Sequence, residues 1–278
     1  MSAAAAELPA TTTLRLRLDD GVLHLTLARP EARNAMSAAM IDELLASFAA
    51  IRDRRDVRAV VLRGQGGNFC AGGDVKDMAA ARMAPQVPGG PDPAAAMNRR
   101  FGALMLAVDR APQATIAVLE GAVLGGGFGL ACVADVAIAR ADAGFGLPET
   151  GLGLPPAQIA PFLVRRMGLS HARRLAVTGG RFDGAHALAV GLVHHVVADD
   201  DALAQQLATT LAQIRRCAPG AIAATKHIMA QVGAVELDAL LDDAAARFAE
   251  AVRGPEGTEG TMAFVQKRLP AWAAGAGS

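Results

Sequence analysis

Two glycine-rich segments and one glutamate carry the residue types from which chemistry can be built: NFCAGGD at 68–74, LGGGFGLAC at 124–132, and Glu149 in FGLPET. Each glycine run joins an apolar strand-like stretch to a helix-like one. Backbone amides at two helix N-termini would make an oxyanion hole, because unsatisfied N–H groups and the helix dipole favour negative charge there. Tight backbone packing alone is the alternative use of such glycines. Glu149 follows a rigid proline at the end of an apolar strand, where poor solvation would raise its pKa and suit it to proton transfer near neutral pH. A capping or salt-bridged structural acid is the plainer reading of the same residue.

The elements that must position these residues are legible in the pattern. Residues 14–28 alternate around Asp19-Asp20-Gly21 and predict a β-hairpin. Ser37 predicts a helix cap, with Met40, Ile41, Leu44, Leu45, Phe48 and Ile51 on one face. Strands are expected at 57–62, 115–119, 135–139, 144–147 and 192–197, helices from about residue 157, and long amphipathic helices beyond Asp199. Residues 82–97, with four prolines and two glycines, predict a mobile surface insertion where a lid could sit. The expected organisation is a disordered leader over 1–13, an α/β core over 14–198 and a helical region over 199–278 that packs on the core or on a second subunit.

Composition narrows the function classes. With 278 residues, 27 basic and 27 acidic, the chain has no charge bias to attract nucleic acid or an anionic membrane. Thirty glycines and 4% aromatics imply a core of closely approaching backbones. Cys70, Cys132 and Cys217 form no CxxC pair, which fits a reducing cytoplasm and suggests neither a disulfide framework nor a thiolate metal site. The apolar stretch 121–134 is too short for the roughly 20 residues of a membrane span.

Other motifs fail. No serine is framed as GxSxG, there is no GxxxxGK[ST] loop or HExxH helix, and GGGFG lacks the GxGxxG dinucleotide spacing. His194 and His195 would point to opposite faces of a strand, so they cannot jointly hold a metal. Cys70 lies in a glycine loop that could activate a thiol, but a small buried filler is the preferred reading.

The stretch from Ala28-Arg29-Pro30 through Asn34-Ala35-Met36, with FCAGGDVKDM, EGAVLGGGFGLACVADVAIA and FGLPETGLGLPP, resembles the crotonase, or enoyl-CoA hydratase/isomerase, superfamily in order over residues 14–269. The resemblance implies a spiral of ββα units with a helical C-terminal region, trimers or dimers of trimers, and acyl-CoA thioester substrates. It places the two oxyanion-hole amides at Gly73 and Gly126. It places Ala32 and Arg33 on the pantetheine and phosphate path of coenzyme A, Cys70, Ala71, Gly72, Gly73, Asp74 and Val75 in the loop around its adenine, and Phe264 and Lys267 where an aromatic and a cation approach it from the same or a neighbouring subunit. No metal or redox cofactor is implied.

Hydratases of this family commonly carry two carboxylates. The second matches Glu149; the first falls on Gly129. A missing side chain there is expected to leave space for a branched acyl group or an extra water. One carboxylate suffices to shuttle a proton between C2 and C4 in an isomerase, and can support hydration if it both activates water and returns the proton. The expected activity is therefore 2-enoyl-CoA hydration with Glu149 as acid/base. The alternatives are isomerisation by the same residues and a non-catalytic acyl-CoA-binding or assembly protein. GGGFGLAC together with FGLPETGLGLPPAQIAPF resembles the isohexenylglutaconyl-CoA hydratase branch of acyclic terpene breakdown, which would imply a branched acyl chain with a second carboxylate.

Overall fold

The computed structural model describes residues 7–273. The chain opens with the expected hairpin of β1 (Leu14–Asp19) and β2 (Val22–Leu27), whose two-residue turn puts Asp20 and Gly21 at positive φ, as a tight hairpin requires. Of the expected leader, residues 1–6 lie outside the described residues. Thr12 and Thr13 are tied by their amides and hydroxyls to the Glu43 carboxylate of the following helix. That helix, α1 (Ala38–Ile51), starts at Ser37, whose side chain accepts from the Met40 amide, and buries Met40, Ile41, Leu44, Phe48 and Ile51.

Strand β3 (Ala59–Gly64) leads through the first glycine loop to α2 (Val75–Met83), and a coil over 84–92 leads to α3 (Pro93–Asp109). The expected insertion is thus partly helix: Asp92 caps α3 and Pro93 sits in its first turn, where a proline costs no hydrogen bond. Next come β4 (Ala114–Leu119), β5 (Ala122–Leu124), α4 (Gly126–Val133), β6 (Val136–Arg140) and β7 (Gly144–Gly146). The rest of the core is α5 (Ala160–Thr178), β8 (Arg181–Phe182), α6 (Gly184–Ala189) and β9 (His195–Val197). The C-terminal region is α7 (Asp200–Arg215), α8 (Pro219–Ala230), α9 (Leu237–Arg253) and α10 (Pro255–Val265).

The strands form a six-stranded sheet ordered β1-β2-β3-β4-β6-β9, parallel except for the first pair, and a three-stranded sheet β5-β7-β8. Central strands such as ATIAVL are buried throughout, because both faces of the large sheet are covered. One face meets the main core with α1, α3 and α4, whereas Val22, Val61, Ile116, Val118 and Ile138 face Leu203, Leu207 and Leu211 of α7. The C-terminal region is fastened by polar contacts: Lys226 Nζ bonds Asp135 at 2.6 Å and the Gln113 carbonyl at 2.9 Å, and Arg58 donates to the carbonyls of Cys217 and Trp272. It is an α/β fold with a helical C-terminal region, as the sequence pattern predicted.

Candidate active site

Four chain segments lie side by side and hold one another by backbone hydrogen bonds. Residues 33–36 pair with 71–74: Ala71 N donates to Arg33 O, Met36 N to Gly72 O and Asp74 N to Met36 O, at 2.8–3.0 Å. Residues 69–70 pair with 120–124: Phe69 N donates to Glu120 O, Cys70 N to Ala122 O and Leu124 N to Cys70 O, at 2.8–2.9 Å. Gly144 N then reaches Gly121 O and Gly125 N reaches Gly146 O. Asn34 pins the first corner. It is fully buried, its Oδ1 accepts from Arg29 N, and its Nδ2 donates to Gln65 O and Asn68 O. Its φ of +56° is one that asparagine tolerates better than most residues.

This frame aims two amides. Gly73 is bridged to Met36 through its neighbours, Gly72 O and Asp74 N, so its own N–H points to the opposite edge. Gly126 is the first residue of α4, where the helix makes no use of the N–H. Among the described residues, neither amide donates to another backbone group outside its own helix or strand. The two loops touch backbone to backbone: a Cβ placed on Gly125 would lie 3.4 Å from Gly72 Cα. Gly125 and Gly72 have φ of +49° and +107°, so only glycine fits this pinch without strain.

Glu149 completes the group. It lies in a 3-10 turn, Pro148–Leu152, tied down where Thr150 Oγ1 donates to Ala176 O at the end of α5. Its Oε1 stands 2.7 Å from the position a Gly125 Cβ would take, and its buried Oε2 has no hydrogen-bond partner. Burial pushes the carboxyl above its ordinary pKa, which eases both loss and return of a proton near neutrality. The structure thus brings Gly73, Gly126 and Glu149 to one frame.

The Gly129 position differs from expectation. Gly129 is buried, and a Cβ there would meet Met105 Sδ at 3.1 Å and Ile159 Cγ1 at 3.2 Å. Apolar side chains from α3 and the start of α5 have taken the room, so no space is left for acyl group or water. Sequence could not reveal this, because the filling residues stand 24 positions before and 30 after Gly129.

The residues expected on coenzyme A are dispersed in role. Ala32 ends a 3-10 turn and Arg33 follows it, exposed at φ +48°. The Cys70 side chain is fully buried and its thiol is pushed up to about 12, so it offers a ligand only backbone. Ala71 is half-buried and Gly72 is buried in the pinch, whereas Val75 is exposed. Asp74 caps α2 through Lys76 N and pairs with Arg29 Nη2 at 2.8 Å, which holds its carboxyl low. Phe264 and Lys267 are exposed at the end of α10, which packs on α9; among the described residues no hydrogen bond or ion pair ties them to either glycine loop. The Arg29 and Asn34 clamps and the Gly125 pinch went unassigned in the sequence. Only the fixed glycine triplet hinted at the last.

The sequence profile of the family described as Enoyl-CoA hydratase/isomerase matches residues 17–275. The chain belongs to the enoyl-CoA hydratase/isomerase family. It is 34% identical over 260 residues to the human mitochondrial Enoyl-CoA hydratase domain-containing protein 2, covering 91% of this chain and 85% of that one. Among solved structures, Pseudomonas aeruginosa AtuE is 62% identical with a TM-score of 0.90, covering 94% of this chain and 100% of that one. An enoyl-CoA hydratase/isomerase from Marinobacter aquaeolei is 52% identical with a TM-score of 0.91, covering 94% and 99%. Among the described residues no three His, Cys, Asp or Glu side chains cluster as metal ligands, and no helix is long and apolar enough to cross a membrane. His194 Nδ1 accepts from Ala137 N and its pKa is pushed down to about 4 by burial and the Arg166 charge.

Proposed function

We propose that this enoyl-CoA hydratase-like enzyme adds water to a 2-enoyl-CoA with Glu149 as its single acid/base. The observation that carries the reading is the Glu149 carboxyl lying against Gly125, the residue that precedes Gly126, with one oxygen buried and unpartnered. The carboxylate takes a proton from water as the water oxygen bonds to C3. The C2–C3 electron pair moves onto the thioester oxygen, where the Gly73 and Gly126 N–H groups stabilise the enolate. Glu149 then returns the proton to C2 as the carbonyl re-forms. Loss of one such amide donor typically costs about 10²–10³ in rate. Water addition requires acid, base and enolate stabilisation, so we assign no cofactor beyond the coenzyme A of the substrate.

A second reading, Δ3–Δ2 isomerisation, is favoured by the apolar filling at Gly129, which leaves Glu149 without a second acid. There the same carboxyl moves a proton from C4 to C2. The acyl group we favour is a branched glutaconyl chain, supported by GGGFGLAC and FGLPETGLGLPPAQIAPF. Lys267, Phe264 and Arg33 are our candidates for holding coenzyme A. We also assign a trimer-based assembly in the cytoplasm, supported by the exposed Leu237, Leu241, Phe248 and Val252 along α9. Incubation with unsaturated acyl-CoAs in deuterated water, followed by mass spectrometry, separates the readings. Hydration is expected; C4-to-C2 migration without hydration selects the isomerase, and binding without either selects a non-catalytic acyl-CoA protein.

A further inference from the structure

The acid of the proposed reaction sits on a thinly anchored piece of chain. Around Pro148–Leu152 the backbone bonds are local: Gly153 N donates to Thr150 O at 3.1 Å and Leu154 N to Glu149 O at 2.9 Å. Thr150 through Pro155 are exposed, Leu152 and Leu154 included, so apolar packing does not hold the stretch between the buried Leu147 and Pro156. Gly151 and Gly153 add backbone freedom, with Gly153 at φ +77°. Among the described residues the Glu149 carboxyl bonds no other residue, so nothing at its own end fixes it.

Among the same residues, one hydrogen bond crosses from this turn to another element: Thr150 Oγ1 donates to Ala176 O at 3.0 Å. Ala176 is a firm anchor. Its carbonyl lies in the last turn of α5, where helix carbonyls have no partner inside the helix. Ala172 and Leu175, both buried, seat that end of α5 on the core. Gly179 caps the helix at φ +61°, and a Cβ there would lie 3.1 Å from Thr150 Oγ1, so the glycine leaves the hydroxyl its approach.

Building on the acid/base reading of Glu149, we infer that Thr150 is a positioning residue: its hydroxyl, bonded to the Ala176 carbonyl, holds the turn in the pose that puts the Glu149 carboxyl against Gly125. General acid/base transfer needs the carboxyl within about 2.6–3.2 Å of the atom whose proton moves. A misplacement of about 1 Å costs up to about 10²-fold in rate. An exposed hydroxyl on the neighbouring residue thereby has a leverage on turnover that one solvent-facing bond does not have on stability.

The test compares Thr150→Val, which keeps the branched shape and loses the hydroxyl, with Thr150→Ser, which keeps the hydroxyl. Turnover of an enoyl-CoA is expressed per butanoyl-CoA-binding site counted by calorimetry, so unfolded protein does not enter kcat. The Val variant is expected to lose about fivefold or more in kcat while its Kd for butanoyl-CoA stays within about twofold, and the Ser variant to recover most of the loss. Deuterium uptake of residues 148–155, followed by mass spectrometry on the full chain, reads the turn without turnover. It should be about three- to tenfold faster in the Val variant and near wild type in the Ser variant, the worth of one hydrogen bond. A smaller fall in kcat, a loss carried by Kd instead, a Ser variant no better than Val, or a smaller rise in uptake overturns the inference. Glu149→Gln separates the two ideas. Full turnover without the carboxyl sinks the acid/base reading, whereas an inactive Gln variant beside a fully active Val variant sinks the tether alone. Should the wild type turn over no enoyl-CoA, the uptake comparison decides the tether by itself.

Discussion

The two amide-bearing loops are built by different physics. The first, 69–74, runs into α2, a helix with no buried side chain, and Gly73 itself is exposed. It is held by hydrogen bonds: to residues 33–36, from Arg29 to Asp74, and from the Ala38 amide to Asp77 in the first turn of α2. The second, 124–129, runs into α4, which is buried in every residue but its first, with Phe128 edge-on to Phe145 and Phe182. Both loops share backbone hydrogen bonds, but the first leads into an unburied helix held by polar contacts and the second into a helix held by packing. Their meeting at Gly72 and Gly125 lets a movable edge share a fixed reference point, which suits a site that must admit a ligand and still aim two donors at one oxygen.

Substitutions can break or sharpen this contrast. On the packed side, Glu149→Gln is expected to bind acyl-CoA and lose about 10²–10⁴ in turnover, the usual worth of a general acid/base. Because burial raises the Glu149 pKa, the folded protein prefers the neutral carboxyl, and that contribution is lost as pH rises through the raised value. The Gln variant should therefore melt above wild type at pH 8 and lose that margin near pH 4, as thermal denaturation at the two pH values will show. Gly125→Ala forces a side chain to φ +49° against the carboxyl, and should cost about 1–3 kcal/mol by urea denaturation and most of the activity. On the hydrogen-bonded side, Asp74→Ala removes the α2 cap and should cost about 1 kcal/mol. The lowered Asp74 pKa means that its contribution is present above the ordinary carboxylate range and is lost as pH falls through the lowered value. Gly73→Ala meets only the movable end of Met78, and should cost less than about 0.5 kcal/mol while raising KM. If Gly73→Ala proves as damaging as Gly125→Ala, the distinction between a yielding and a rigid face fails.

Much of this was legible from local pattern. Alternation marked the hairpin, Ser37 its helix, and the continuous apolar runs the buried parallel strands. Gly73, Gly126 and Glu149 emerged from glycine placement, a proline and the family resemblance, and the fold brings all three together. What escaped is non-local. Strands β5 and β8, of three and two residues, are too short to show a period and exist only because neighbours offer hydrogen bonds. Pro93 read as loop although it begins a helix. Gly129 read as empty although Met105 and Ile159 fill it. Arg29, whose guanidinium joins Ala35 O to Asp74, looked like any lysine or arginine beside a turn.

The zipped frame has a consequence for hydrogen exchange. The amides of Met36, Phe69, Cys70, Leu124 and Gly125 each close a bond between different segments, so none can open unless the turns of the spiral separate. They should exchange as one slow cooperative unit. The Gly73 and Gly126 amides sit within that unit yet stand outside its bonding, and should exchange freely until a thioester oxygen arrives. Occupancy of the site would then be written in two protons, against a background that does not move.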